Sequence, residues 1–92
     1  MPRPKKTRNI RVLKEDISFK SYDENVTEFV DIFKDEFEVM RYIDLENYDQ
    51  SKTAEKMGIS RGTVQRLLYS GRKKLIFALL NKKNILIKKW IK

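Results

Sequence analysis

The stretch Gln50–Tyr69, QSKTAEKMGISRGTVQRLLY, has the residue spacing of two helices that meet through a tight turn. Counted from Gln50, the fifth residue is Ala54, small enough for two helix backbones to approach, and the ninth is Gly58, which accepts the positive φ of a turn. Positions eight, ten, fifteen and eighteen are apolar: Met57, Ile59, Val64 and Leu67. An ordinary αα-hairpin would match some of these positions by chance. The agreement of all six within twenty residues favours a helix-turn-helix of the kind that reads DNA.

An apolar stripe precedes this motif. Its members recur at spacings of four, three and three residues: Phe33, Phe37, Met40 and Ile43. The spacing predicts a packing helix over residues 34–46, with Asp35 and Glu36 favourably placed at its positive N-terminal end. Asp49 then suits the N-cap of the first helix of the motif, over residues 50–57.

Ser60 is the predicted N-cap of a longer helix over residues 61–80. One face of this helix is lined by apolar or small residues: Val64, Leu67, Leu68, Gly71, Leu75, Ala78 and Leu79. They lie within roughly 60° of one line when each residue advances about 100°. We therefore expect this face to pack and the opposite, polar and basic face to meet a partner. Ile76, Phe77 and Leu80 lie outside the packing stripe, so we expect them to contact the chain's tails or a second subunit.

The first third of the chain has weaker patterns. Residues 1–14 are interpreted as a basic N-terminal arm with a possible strand at residues 9–14, where Ile10 and Val12 fall on one face. Residues 15–33 are interpreted as a connecting segment that is irregular at first. From Thr27 the pattern becomes helical, and residues 27–33 could form either a turn of their own or a connection.

The last residues, 82–92, are interpreted as a basic C-terminal tail with a short strand near residues 85–89, which could pair with the N-terminal strand. The expected fold is a mainly α helix-turn-helix bundle over residues 34–81. Extended basic tails that could form a short two-stranded β pair flank it.

Charge is divided unevenly along the chain, which has a net charge of +8. Residues 1–14 hold six Lys or Arg and no acid, residues 15–49 hold three bases and twelve acids, and residues 50–92 hold twelve bases and one acid. An evenly lysine-rich chain would spread its positive charge uniformly. The observed division indicates a protein that binds a polyanion and has a separate acidic support region.

Composition excludes several classes of function. The 92 residues include no Cys and no His, which excludes thiol catalysis, disulfides and the usual zinc or haem ligands. Catalysis would need paired carboxylates in a pocket, and we expect the acids mainly on helix surfaces, so we expect neither an enzyme nor a cofactor. No apolar run approaches the roughly 18–20 residues that span a bilayer, and no apolar segment follows the basic N-terminus. We therefore expect a cytoplasmic, nucleoid-associated protein with no membrane contact.

The second helix of the motif carries side chains that can distinguish bases. An α-helix fits the major groove, where each base pair presents a distinct set of donors and acceptors. By position in the motif, the residues directed at base edges are Ser60, Arg61, Gly62, Gln65, Arg66 and Tyr69. Arginine can make paired hydrogen bonds to guanine and glutamine to adenine, each pair giving about 1–3 kcal/mol of discrimination. For Arg66 and Gln65, a solvated side chain or a phosphate contact is an equally good interpretation.

Other basic residues are better assigned to phosphates, which set affinity and register without reading sequence. The candidates are Lys52, Lys56, Arg72, Lys73 and Lys74. For any one lysine a hydrated surface charge is the simpler interpretation, so only the cluster is informative. A second group surrounds two prolines at the N-terminus and could enter an adjacent minor groove, or could form a charged mobile tail: Arg3, Lys5, Lys6 and Arg8.

Two stretches resemble a known family: MPRPKKTR, residues 1–8, and DEFEVMRYIDLENYDQSKTAEKMGISRGTV, residues 35–64. Both resemble the small prokaryotic proteins grouped as uncharacterised protein family 0251, which are predicted to bind DNA. The second stretch also resembles the fourth region of sigma-70-type factors. The resemblance implies an all-α, winged-helix-like helix-turn-helix of the type used in promoter recognition. Gly62 departs from the pattern, since a larger polar residue is expected there, and specificity would then rest mainly on Arg61, Gln65 and Arg66.

These features lead to one main hypothesis and two alternatives. The main hypothesis is a small transcriptional regulator that binds double-stranded DNA, as a homodimer because one short helix reads few base pairs. The first alternative is a protein-interaction module that contacts RNA polymerase or another regulator through the acidic segment 23–49. The second is RNA binding, which competition between duplex DNA and structured RNA would distinguish.

Overall fold

The computed structural model describes residues 16–89, which form three helices and three strands. In chain order these are β1 (Ile17–Phe19), β2 (Phe29–Phe33), α1 (Lys34–Met40), α2 (Gln50–Met57), α3 (Arg61–Leu80) and β3 (Asn84–Lys88). Helix α1 continues directly into a π-helical turn over Arg41–Leu45. The helix predicted over residues 34–46 is therefore confirmed as one helical run, with a change of helix type after Met40.

The prediction of a mainly α fold is wrong, because the three strands form a mixed sheet and the fold is α/β. Strand β3 lies in the centre of the sheet, antiparallel to β1 and parallel to β2. Parallel neighbours need a long crossover connection, and the helices α1 to α3 supply it. The sheet therefore joins the two ends of the helical region, since β2 leads directly into α1 and β3 follows α3.

The segment interpreted as a connection, residues 15–33, contains two of these strands. The helical pattern interpreted from Thr27 is wrong, because residues 29–33 form β2. Along β2, Ile32 is buried and Val30 packs against the core, whereas Phe29 is exposed, so the side chains alternate as in a strand. Five residues are too few for this alternation to be distinguished from one helical turn.

The strand predicted near residues 85–89 is confirmed as β3. Its neighbours in the sheet are β1 and β2, with Ile17 opposite Ile87 and Val30 opposite Ile85. The predicted pairing with residues 9–14 involves residues outside the described part of the chain.

Helices α2 and α3 begin where the predicted N-cap residues, Asp49 and Ser60, place their starts. The Asp49 carboxylate accepts a hydrogen bond from the Lys52 backbone N–H at 2.7 Å, and the Ser60 hydroxyl accepts one from the Thr63 N–H at 3.1 Å. Between the helices Gly58 has a φ of 69°, and a Cβ at this position would meet nothing within 4 Å. The dihedral angle, rather than a lack of space, therefore favours glycine in this turn.

The core lies between α1, α3 and the sheet, and its most buried side chains are Ile32, Val39, Val64 and Ala78. The predicted packing stripe of α3 is confirmed from Val64 to Ala78, but Leu79 is 60% exposed and the prediction is wrong there. Gly71 lets α1 and α3 approach closely, because an added Cβ would lie only 3.0 Å from the Met40 methyl carbon.

Candidate nucleic-acid interface

The exposed side of α3 lies opposite its buried stripe and carries most of the predicted base-reading residues. We call it the α3 outer face and define it by six exposed residues: Gly62, Gln65, Arg66, Tyr69, Arg72 and Lys73. Ser60 and Arg61 are also exposed and lie at the N-terminal end of this face. Helix α3 holds five basic residues and no acidic one. The predicted reading residues therefore lie together on one continuous, positively charged surface.

Arg66 folds back along the first turn of α3. Its guanidinium donates a hydrogen bond to the Thr63 hydroxyl at 3.2 Å, and that hydroxyl lies 2.9 Å from the hydroxyl of Ser60. A Cβ added at Gly62 would lie 3.7 Å from the nearest Arg66 guanidinium nitrogen, an ordinary contact distance. Ser60 thus serves the helix as a cap, and Thr63, which is not among the predicted site residues, positions Arg66. The three-residue spacing of Thr63 and Arg66 was the available signal.

A shallow groove of about 400 Å³ runs between the N-terminal end of α2 and the middle of α3. Gln50 lines it from α2, and Gln65, Tyr69, Arg72 and Lys73 line it from α3. Tyr69 is 69% exposed beside this groove, with the Lys73 ammonium 5.8 Å from its ring centroid. The groove brings amide, phenol and cationic groups of both helices to one surface.

The two α2 lysines predicted to contact phosphates are both exposed. Lys52 places its ammonium 4.4 Å from the ring centroid of Tyr48, which stacks on Tyr42 at 5.2 Å between centroids. The Arg41 guanidinium covers the Tyr42 ring at 4.5 Å. Lys56 is exposed in the last turn of α2. The two tyrosines therefore form a rigid support beneath Lys52, because stacked rings flanked by cations attract on both faces.

Arg72 is held by an acid from another element. Its guanidinium donates to both carboxylate oxygens of Asp44, with the Nε contact at 3.3 Å, and about half of each side chain is exposed. The hydrogen bond with Asp44 raises the pKa of Arg72 above its ordinary value, so Arg72 stays charged. Asp44 therefore competes with any anion for the Arg72 guanidinium.

Lys74 faces the interior side of α3 rather than the α3 outer face. Its ammonium donates to Glu36 at 2.9 Å and lies 4.3 Å from the Phe33 ring centroid. Glu36 is only 4% exposed, and it also accepts hydrogen bonds from the Ser70 hydroxyl at 2.6 Å and the Phe33 N–H at 2.9 Å. These contacts tie α3 to the beginning of α1, so they position the α3 outer face from behind.

The same contacts set the ionisation of Glu36. Burial raises the pKa of its carboxyl, but the hydrogen bonds from Ser70, the Phe33 N–H and Lys74 together outweigh burial and lower the pKa below its ordinary value. Glu36 is thus a buried carboxylate with a full set of donors.

The four residues of the predicted N-terminal arm, Arg3, Lys5, Lys6 and Arg8, lie outside the described residues. Within residues 16–89, no helix is both long and apolar enough to cross a membrane. In the same range, no three acidic side chains come together as a group that could hold a metal ion.

Comparison with known proteins gives matches along most of the chain. The family model described as "Protein of unknown function DUF134" matches residues 1–90. A UPF0251 protein of Desulfitobacterium hafniense (strain DSM 10664 / DCB-2) is 41% identical over 85 residues, covering 90% of this chain and 68% of the relative. A UPF0251 protein of Clostridium botulinum (strain Hall) is 38% identical over 89 residues, covering 95% of this chain and 57% of the relative.

The chain therefore spans about two-thirds of the length of the first relative and just over half of the second. No solved structure matches the chain. The family resemblance predicted from residues 1–8 and 35–64 is confirmed, and the agreement over nearly the whole sequence shows that this chain belongs to the DUF134 family of UPF0251 proteins.

Proposed function

We propose that this protein binds double-stranded DNA with sequence specificity through a helix-turn-helix formed by α2 and α3. It would act in the prokaryotic cytoplasm as a small transcriptional regulator. The observation that supports the proposal is the α3 outer face, where exposed amide, phenol and guanidinium groups form one basic surface on a helix packed on its other side. A helix with such a face fits the major groove.

In this proposal the base contacts come from Arg61, Gln65 and Arg66. Arg61 is exposed at the N-terminal end of α3, so its guanidinium can reach a base without first breaking another side-chain contact. Arg66 must leave the Thr63 hydroxyl, which costs about 1 kcal/mol for an exposed hydrogen bond, and gains paired hydrogen bonds to a guanine in return. Gly62, without a side chain, lets the backbone of the first turn approach the base edges.

The phosphate contacts are assigned to Lys52, Lys56 and Lys73, and to Arg72 once it leaves Asp44. Lys52 and Lys56 are exposed on α2, and Lys73 lies beside Tyr69 on the α3 outer face. Lys74 is not included, because its ammonium is bound by the buried Glu36 carboxylate. Such contacts set the register of the protein on the duplex without reading its sequence.

The test is a fluorescence anisotropy titration of labelled mixed-sequence duplex DNA with the protein at 50 mM and 200 mM salt. Each neutralised phosphate adds about 0.9 to the slope of log affinity against log salt, so four contacts would weaken binding roughly 100-fold between these concentrations. Excess structured RNA should not displace the duplex. Binding that is absent at 50 mM salt, or equal at both concentrations, would contradict the proposal.

Asp44→Asn is expected to strengthen duplex binding by about three- to tenfold at low salt. The change removes the carboxylate that Arg72 must leave before it contacts a phosphate, so binding gains affinity while the number of phosphate contacts, and with it the salt slope, should stay nearly the same. The measurement is the same titration.

Glu38→Gln is the matched control for this prediction. It removes the same charge, and the Glu38 carboxylate forms no hydrogen bond or ion pair with any other side chain in the range 16–89. If both variants gained the same affinity for the duplex, the change in net charge alone would explain the gain. Asp44 would then not restrain a phosphate-binding group.

A second candidate function is a protein-interaction module that contacts RNA polymerase or another regulator. The observation that favours it is Leu45, which is 70% exposed on the π-helical turn between the acidic residues Asp44 and Glu46. Retention of polymerase on the immobilised protein, abolished by Leu45→Glu and accompanied by no retention of DNA, would favour this function over DNA binding.

A further inference from the structure

We infer that the last two turns of α3 are the docking surface for a second copy of this chain. The surface consists of four large apolar residues, which we call the α3 terminal patch: Ile76, Phe77, Leu79 and Leu80. The role of the resulting dimer rests on the proposed DNA binding, whereas the contact itself does not.

The α3 terminal patch continues the line of the α3 outer face, with a change of chemistry. Ile76 and Leu80 follow Tyr69 and Lys73 along the same side of the helix at spacings of three and four residues. Their exposed fractions are 60% and 77%, and those of Phe77 and Leu79 are 51% and 60%. At least half of each side chain is thus left uncovered by the described residues, and exposed apolar side chains grouped in this way mark a site of protein contact.

Charges beside the patch favour a second copy over an unlike partner. A hollow of about 780 Å³ separates the end of α3 from residues 19–25, and its charged lining includes Glu24 on one side and Lys82 on the other. Both are exposed, and neither forms an ion pair with another residue of the range 16–89. In a two-fold symmetric interface the two copies use the same surface. A charge on one copy is therefore balanced only if that surface also carries a charge of opposite sign close by. Glu24 and Lys82 meet this requirement.

The position of the patch limits the spacing of the DNA half-sites. About thirteen residues separate its centre from Gln65, at the centre of the reading segment, which corresponds to roughly 20 Å along α3. The two reading segments of a dimer would then lie at most about 40 Å apart. This distance reaches half-sites one helical turn apart, about 34 Å, but not two turns apart.

Sedimentation velocity on the full chain, without DNA, tests the contact. The wild-type protein is expected to sediment as a dimer at tens of micromolar. Ile76→Glu together with Leu80→Glu should weaken dimerisation at least 30-fold and leave the circular dichroism spectrum and thermal midpoint nearly unchanged, since both side chains are exposed. Leu45→Glu, which changes an equally exposed leucine on another element, should leave the dimer intact.

A charge reversal makes the test specific for the symmetric arrangement. Lys82→Glu should weaken the dimer by about three- to tenfold, and adding Glu24→Lys should restore it, because the two charges meet across the two-fold axis. A monomeric wild-type protein would overturn the inference, as would a double Glu variant that dimerises normally. A double Glu variant that loses its thermal transition without changing the association state would also overturn it, because the patch would then pack within its own chain.

With a half-site selected from a random duplex pool, inverted repeats spaced by 10–11 base pairs should bind the dimer at least tenfold more tightly than repeats spaced by 21. Equal affinity of the dimer for both spacings would contradict the maximum distance between reading segments that the α3 terminal patch implies. Dimer formation without any DNA binding would contradict the proposed function and leave the contact standing.

Discussion

Replacing Arg61 and Arg66 together with alanine is expected to weaken binding to a selected duplex by at least about 30-fold. Each guanidinium can make paired hydrogen bonds to guanine that give about 1–3 kcal/mol of discrimination. The loss should be much smaller for a scrambled duplex, because phosphate contacts supply most of the non-specific affinity. The double variant should therefore bind the two duplexes with nearly the same affinity, which anisotropy titrations with both would show.

The matched control is Lys20→Ala with Lys88→Ala. It also removes two positive charges, but from the sheet region, which contacts the buried side of α3. Its preference for the selected duplex should equal that of the wild type. If the Arg61 and Arg66 variant kept that preference, base reading by α3 would be ruled out.

Glu36→Ala is expected to lower the free energy of unfolding by about 3 kcal/mol or more at pH 7. Removal of one partner from a buried, hydrogen-bonded charge pair typically costs about 3–5 kcal/mol, and the partial exposure of Lys74 favours the lower end. The change removes the carboxylate that accepts hydrogen bonds from Ser70, Lys74 and the Phe33 N–H. The loss is a large fraction of the roughly 5–15 kcal/mol by which small domains are stable. Urea denaturation followed by circular dichroism measures it.

The effect of Glu36 should depend on pH in a defined direction. Because its pKa in the folded protein lies below its ordinary value, its stabilising contribution is complete above the unfolded pKa of about 4.3 and is lost as the pH falls through the folded pKa. The stability difference between the wild type and Glu36→Gln should therefore be largest near neutral pH and shrink toward pH 3. A difference that stays constant with pH would mean that the carboxylate charge contributes nothing.

The parts of the fold that the sequence predicts correctly have local signals. Asp49, Gly58 and Ser60 each act on their own backbone or on residues within three positions, so the turn between α2 and α3 can be derived from the sequence alone. The packing stripe of α3 is similarly encoded in its period. The predicted burial of Leu79 is wrong because the periodicity of a helix does not show where the neighbouring elements stop covering it.

The parts that the sequence does not predict depend on distant residues. Strand β1 has three residues, and among residues 16–89 it pairs only with β3, about seventy positions away. Two ion pairs of the candidate site also join residues that are far apart in the sequence: Arg72 with Asp44 and Lys74 with Glu36. Both cations look like free members of a basic cluster until the helices are packed. The structure therefore separates the predicted phosphate contacts into three groups. Lys52, Lys56 and Lys73 are exposed, Arg72 is paired with Asp44, and Lys74 is bound by the buried Glu36.

The measurement that tests the central claim most directly is a nuclear magnetic resonance titration of the isotope-labelled protein with its selected duplex. If the α3 outer face reads DNA, the largest backbone amide shifts should fall within residues 60–73 and at Lys52, and the amides of the sheet should change little. Shifts confined to the acidic residues 23–49, or no shifts at saturating duplex, would contradict the account.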